Sequence, residues 1–152
     1  MRRKENEIKD RTLLEDIIDK GEVCRIAISG EEYPYIVPVN YGYENNCIYF
    51  HSACEGRKME MLIKNPNVCI QIDTDIAIEE TEIPCNWSTK YKSIIGFGKA
   101  TILSDEIEKR LALGIIVKHY KDDFDKTYRF SSMENLCIVK IELSQLTGKQ
   151  SL

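Results

Sequence analysis

"EVCRIAISGEEYPYIVPVNYGYENNCIYFHSA", residues 22–53, decides the fold class. In "EVCRIAIS" Cys24, Ile26 and Ile28 alternate with Val23, Arg25 and Ala27, the period of a strand with one buried face. "GEE" and "ENN" then separate it from "YPYIVPVNYGY" and from "CIYFHSA" by links of hairpin length. A parallel pair needs a crossover of roughly a dozen residues, so these strands run antiparallel. Pro34 and Pro38 cannot donate to a ladder, which places the middle strand at an edge or leaves it broken where something approaches its backbone.

Upstream, "RTLLEDIIDKG" sets Leu13, Leu14, Ile17 and Ile18 on one helical face, with Thr12 and Glu15 as a capping box and Gly21 as the stop. Downstream, Ser52 and Glu55 match the same capping pattern, so a helix is expected from near Ala53. Its apolar face is Met59, Leu62 and Ile63, and Asn65-Pro66 ends it. "NVCIQIDTD" alternates as a strand, whereas Ile76 to Lys90 shows no period and reads as an excursion holding Trp87. "KYKSIIGFGKATILSD" is a long strand in which Gly96 and Gly98 suggest a bulge, Ser104 caps the helix that follows, and "LCIVKIEL" is a last strand. The order gives five or six mainly antiparallel strands with α-helices packed outside, a mainly β fold built as a small barrel.

A chain of 152 residues is expected to form one domain, residues 1–152. With 43% apolar and 30% charged residues and a net charge of −4, it lacks the basic balance of a general nucleic-acid binder. No apolar run approaches the roughly 18 residues of a membrane span, and "MRRKENEIKDR" has no apolar segment behind its basic residues, so a cytosolic protein is expected. The six cysteines (Cys24, Cys47, Cys54, Cys69, Cys85, Cys137) include no C-x-x-C pair and are read mostly as small apolar core residues, not as a disulfide framework. Cys47 and His51 on one strand would stand about 13 Å apart, too far to share a zinc ion, so no metal site is expected.

Arg57 and Lys58 stand where a helix dipole disfavours positive charge. Read alone they are either a solvated helix face or an anion site, in which a phosphate meets free N–H groups, a guanidinium and an ammonium. The reactivity of Cys54 beside them is open, and His119 reads as a partner for the C-terminal dipole of its helix.

Taken together, "VPVNYGY…YFHSACEGRKMEMLIKNPNVCI…NWSTKYKSIIGFGKA…LTGK" resembles the pyridoxamine 5′-phosphate oxidase-like flavoproteins with a split β-barrel, and among them the nitroimidazole-resistance subgroup. The resemblance implies FMN bound at a homodimer interface. By matching position, Gly56, Arg57 and Lys58 would bind its phosphate with Ser52 nearby, and Val39, Asn40 and Tyr41 would border the flavin ring. His51, near the ring, would be the active-site residue, and Trp87, Tyr91, Ser93 and Ile94 of the second subunit would close over the cofactor. Lys92 alternates with Tyr91 and Ser93 and should point away. The implied activity is reduction of a small planar acceptor such as a nitroimidazole. The alternatives are a non-catalytic protein holding a flavin, haem or deazaflavin, and a structural dimer without cofactor. The C-terminal "LSQLTGKQSL" lacks the arginine-rich motif of the true oxidases, and no G-x-G-x-x-G offers a nicotinamide site.

Overall fold

The structure, a computed structural model, describes residues 4–121 and 135–151. Eight strands and three α-helices follow in the order β1 (Glu7–Ile8), α1 (Arg11–Lys20), β2 (Cys24–Ile28), β3 (Tyr35–Val39), β4 (Gly42–Glu44), β5 (Cys47–Ala53), α2 (Arg57–Lys64), β6 (Asn67–Glu79), β7 (Ser88–Ile102), α3 (Glu106–Tyr120) and β8 (Leu136–Ser151). All strand pairs are antiparallel, along the path β3-β2-β6-β7-β8-β5-β4, with β1 added to the end of β8.

The stretch expected to be one strand, "YPYIVPVNYGY", is two: β3 and β4, at opposite ends of this path. Only Asn40 and Tyr41 lie between them, and three Cα steps reach at most roughly 11 Å. The sheet therefore curls until its two ends nearly meet, yet β3 and β4 do not pair, and the barrel stays split. Six longer strands match the expected ones, and β1 and β4 are the short additions. Pro38 sits opposite Arg25 on edge strand β3, where its missing donor leaves no gap in the ladder. Asn45 and Asn46 both take positive φ (51° and 64°), the conformation a two-residue hairpin turn requires between β4 and β5.

Inside the curl, Ile26, Ile28, Tyr41, Ile48, Phe50, Ile70, Ile72, Ile94 and Ile141 form one core, closed at one end by Leu14, Ile17 and Ile18 of α1. Each such side chain, removed from water, contributes about 1.5–3 kcal/mol. Leu13, expected on the same face, lies outside it. On the other side of the sheet, Ala112, Leu113 and Ile116 of α3 pack against Ile138 and Leu103 in a second, smaller cluster.

Several local expectations need correction. Asp10, not a Thr12–Glu15 box, caps α1 by accepting from the Thr12 N–H, and Asp105, not Ser104, caps α3 through the Glu108 N–H. Asp is the better cap because its carboxylate also meets the positive end of the helix dipole. α2 starts at Arg57 with Gly56 as its N-cap, so Ser52 remains within β5 and caps nothing. Ile63, expected on the apolar face of α2, is exposed. The stretch from Ile76 to Lys90 is mostly regular: β6 and β7 stay paired out to Glu79 opposite Ser88, beyond a bulge near Asp75, and a 3₁₀ turn at Pro84–Asn86 closes the hairpin. No period was legible because both faces of this arm are exposed, so nothing demands alternation. The bulge expected from Gly96 and Gly98 is present as a register shift between Phe97 and Gly98.

The cysteine reading needs the largest correction. Cys24 and Cys47 are buried as expected, but Cys54 and Cys137 form a disulfide with Cα atoms 5.0 Å apart, and Cys85 is exposed. The pair is 83 residues apart in sequence and meets only because β5 and β8 are neighbours.

Candidate functional site: a cationic helix start beside the end of β5

The β5 strand carries the chain from the core out to α2, and its alternation sorts the side chains. Phe50 and Ser52 are buried on the core face, whereas His51 and Tyr49 project to the face that carries α3. His51 is opposite Ile138 and exposed; Ser52 is opposite Cys137 and only 8% exposed. After Ala53 the chain turns through Gly56, whose φ of 104° is a conformation L side chains rarely adopt. A Cβ added there would meet nothing within 4 Å, so the space in front of the helix start is open.

Arg57 and Lys58 are the first two residues of α2, where N–H groups have no helical partner and no side chain caps them. The Arg57 guanidinium lies over the Tyr35 ring, 4.9 Å from its centroid, and the Lys58 ammonium is 5.4 Å from the centroid of Phe50. Both contacts orient a cation against a π face without neutralising it. Among the described residues, neither cation has a carboxylate within ion-pair distance. Partial burial lowers the pKa of Lys58. Two unneutralised cations, free N–H groups and open space fit a phosphate.

The structure brings Gly56, Arg57, Lys58 and Ser52 to one end of β5 and places His51 on the other face of the same strand. Val39 and Asn40 lie at the β3 end, Asn40 exposed. Tyr41 is wholly buried, its hydroxyl sharing its one proton between the carbonyls of Ile18 and Gly21, so its ring is packed away from any surface ligand. Burial raises the pKa of that hydroxyl far above the ordinary phenol value. Ile94 is likewise core. Tyr91 and Ser93 are half-buried on β7, with Lys149 5.8 Å from the Tyr91 ring, and Lys92 points elsewhere, pairing with Asp75 at 2.8 Å. Trp87 caps the turn of the β6–β7 arm, with its indole N–H donating to the Thr81 carbonyl at 3.0 Å. The arm is exposed, and Trp87 stands about half open to solvent at its tip.

His119 bonds through Nε2 to the Gly21 carbonyl at 2.7 Å and stands 4.3 Å from the Tyr41 ring, tying α3 to the end of α1. Tyr35 and Phe50, which hold the two cations, escaped the sequence reading: β5 leads straight into α2, but only the curl of the sheet brings β3 there. No group of three potential metal ligands, and no helix long and apolar enough to cross a membrane, occurs among the described residues.

Residues 10–150 match the family model described as pyridoxamine 5′-phosphate oxidase. The chain is 37% identical to a candidate 5-nitroimidazole antibiotic resistance protein of Bacteroides thetaiotaomicron, with a TM-score of 0.83 over 95% of this chain and 86% of that one. A flavocytochrome of Azotobacter vinelandii shares the fold at 17% identity, with a TM-score of 0.86 over 100% of this chain and 72% of that one. An uncharacterized protein of Rhizobium meliloti is 31% identical over 65 residues, and the match spans 43% of this chain and 42% of that relative. The chain thus belongs to the pyridoxamine 5′-phosphate oxidase family of split barrels, alongside its nitroimidazole-resistance subgroup.

Proposed function

We propose that this protein binds FMN and uses it to reduce a small planar acceptor, such as a nitroimidazole or another nitroaromatic. The observation that carries the reading is the open helix start at Gly56, with Arg57 and Lys58 held on aromatic rings and, among the described residues, given no carboxylate. An anion with several acceptor oxygens suits such a site, and the flavocytochrome among the structural neighbours is in keeping with a flavin as its bearer.

When bound, FMN would supply the hydride and electron chemistry, and the protein would supply placement and exclusion of water. Gly56, Arg57, Lys58 and Ser52 hold the phosphate. Val39, Asn40 and Tyr41 border the ring, Tyr41 through its backbone, since its side chain is buried. His51 orients the acceptor and delivers a proton from an imidazole nitrogen to its oxygen. A second copy of the chain supplies Trp87, Tyr91 and Ser93, whereas Ile94 is buried in the core of its own chain, so the working unit is a homodimer. The exposed Ile76, Ile78, Ile83 and Trp87 on the β6–β7 arm support that assembly.

A visible absorption spectrum of the purified protein, taken with added FMN and again after unbound cofactor is removed, tests the reading. Retained stoichiometric flavin and turnover of a nitroimidazole with a chemical reductant are expected; a colourless protein overturns it. A second reading, a flavin carrier without catalysis, is favoured by the position of His51 on the face opposite Ser52. Retained flavin together with no nitroimidazole turnover by the wild-type protein would select that reading.

A further inference from the structure

We propose that the Cys54–Cys137 bridge is a thiol–disulfide exchange site that sets the strength of anion binding at Gly56, Arg57 and Lys58. The inference rests on the phosphate reading of those residues. Cys54 lies in the turn between β5 and α2, two residues before Gly56, and Cys137 is the second residue of β8. The bridge therefore fastens the turn that presents the helix start to the body of the sheet.

Holding β5 to β8 does not require it. Seven residue pairs from Cys47–Glu142 to Ala53–Leu136 already join these strands. What the bridge restrains beyond that ladder is the short link Cys54–Gly56, which belongs to no helix or strand and includes the left-handed Gly56. Cys54 is exposed, so a reductant can reach its sulfur. Four other cysteines remain free, Cys85 at the surface. One accessible bridge in a chain that keeps four cysteines free is not the framework of a disulfide-stapled domain; it is the pattern of a responsive pair.

The reductant is a dithiol. Its thiolate attacks Cys54 Sγ, the Cys54–Cys137 bond breaks, and Cys137 leaves as a thiolate that takes up a proton. The second thiol of the reductant then displaces Cys54, which also leaves as a thiol. Two electrons and two protons pass to the protein, and the reductant departs as its own disulfide. With the link released, the turn must be ordered again on binding. Fixing the backbone of roughly one residue corresponds to about a tenfold loss of affinity.

The test uses the full-length protein carrying Cys85→Ser. FMN affinity is measured by flavin fluorescence before and after dithiothreitol, with thiol counting and hydrogen exchange over residues 53–60 in parallel. Reduction is expected to release two thiols, speed exchange in this segment and weaken FMN about tenfold. In Cys54→Ser and Cys137→Ser the affinity stays at the weaker level with or without reductant. Two released thiols with unchanged exchange and affinity overturn the proposal, as does a bridge absent from the air-oxidised protein. If FMN binds neither form, faster exchange on reduction still upholds the clasp and the phosphate reading alone fails, whereas unchanged exchange sinks both.

Discussion

At the scale of single residues, the site is defined by two cations with no carboxylate partner among the described residues. Arg57→Ala removes a guanidinium held on Tyr35, and FMN affinity is expected to fall by about 1.5–3 kcal/mol, the range of a charge-assisted hydrogen bond. An unchanged titration by flavin fluorescence would take Arg57 out of the site. Lys58 supplies a pH dependence whose sign follows from its burial. Because the folded pKa is lowered below 10.5, Lys58 loses its proton earlier in the folded protein than in the unfolded chain. FMN affinity should therefore drop as pH rises through a midpoint below 10.5, and Lys58→Met should flatten that part of the profile. Through the window between the lowered value and 10.5 the unfolded chain holds more protons, so the unliganded protein gains stability as pH rises there. A wild-type affinity that stays level up to pH 10.5 would contradict this. His51→Ala, on an exposed face of β5, is expected to leave FMN binding within twofold of wild type while slowing nitroimidazole turnover in a steady-state assay. The cations were legible because Arg-Lys at a helix start conflicts with the dipole. Their aromatic supports were not, since Tyr35 lies 22 residues before Arg57 and carries no local signal.

Among elements, legibility tracked burial. β2, β5 and the inner half of β6 have one face in the core and one outside, so their side chains alternate and the strands could be read directly. The outer half of the β6–β7 arm has no buried face and hid its strands. Helix starts failed for a different reason: a serine or threonine followed by glutamate is a common pattern, and Asp10, Asp105 and Gly56 each offered a competing start one to four residues away. The contact of β4 with α3 was likewise invisible in sequence, and it depends on a glycine. A Cβ at Gly42 would lie 2.6 Å from the backbone carbonyl of Ile115, with no side chain in the way that could swing aside. Gly42→Ala should cost about 1–3 kcal/mol, seen as a lower urea midpoint at an unchanged slope. A wild-type midpoint would mean that α3 can shift from β4 without loss.

For the whole molecule, the decisive feature is a sheet whose ends are joined by two residues yet remain unpaired. The curl brings β3 beside α2, into which β5 leads directly, so one short helix start gathers Tyr35, Phe50 and two cations. In the proposed assembly the exposed apolar side chains of the β6–β7 arm would meet a second copy of the chain. Trp87→Ala with Ile78→Ser should shift sedimentation toward monomer and weaken FMN retention together; loss of retention in an intact dimer would separate the two roles. The central claim is that the phosphate end of the flavin is what the site recognises. Parallel fluorescence titrations with FMN and with riboflavin, which share the ring and differ in the phosphate, test it most directly. FMN binding at least about tenfold tighter than riboflavin, with that gap narrowed in Arg57→Ala, is the expected result. Equal affinity for the two ligands would contradict it.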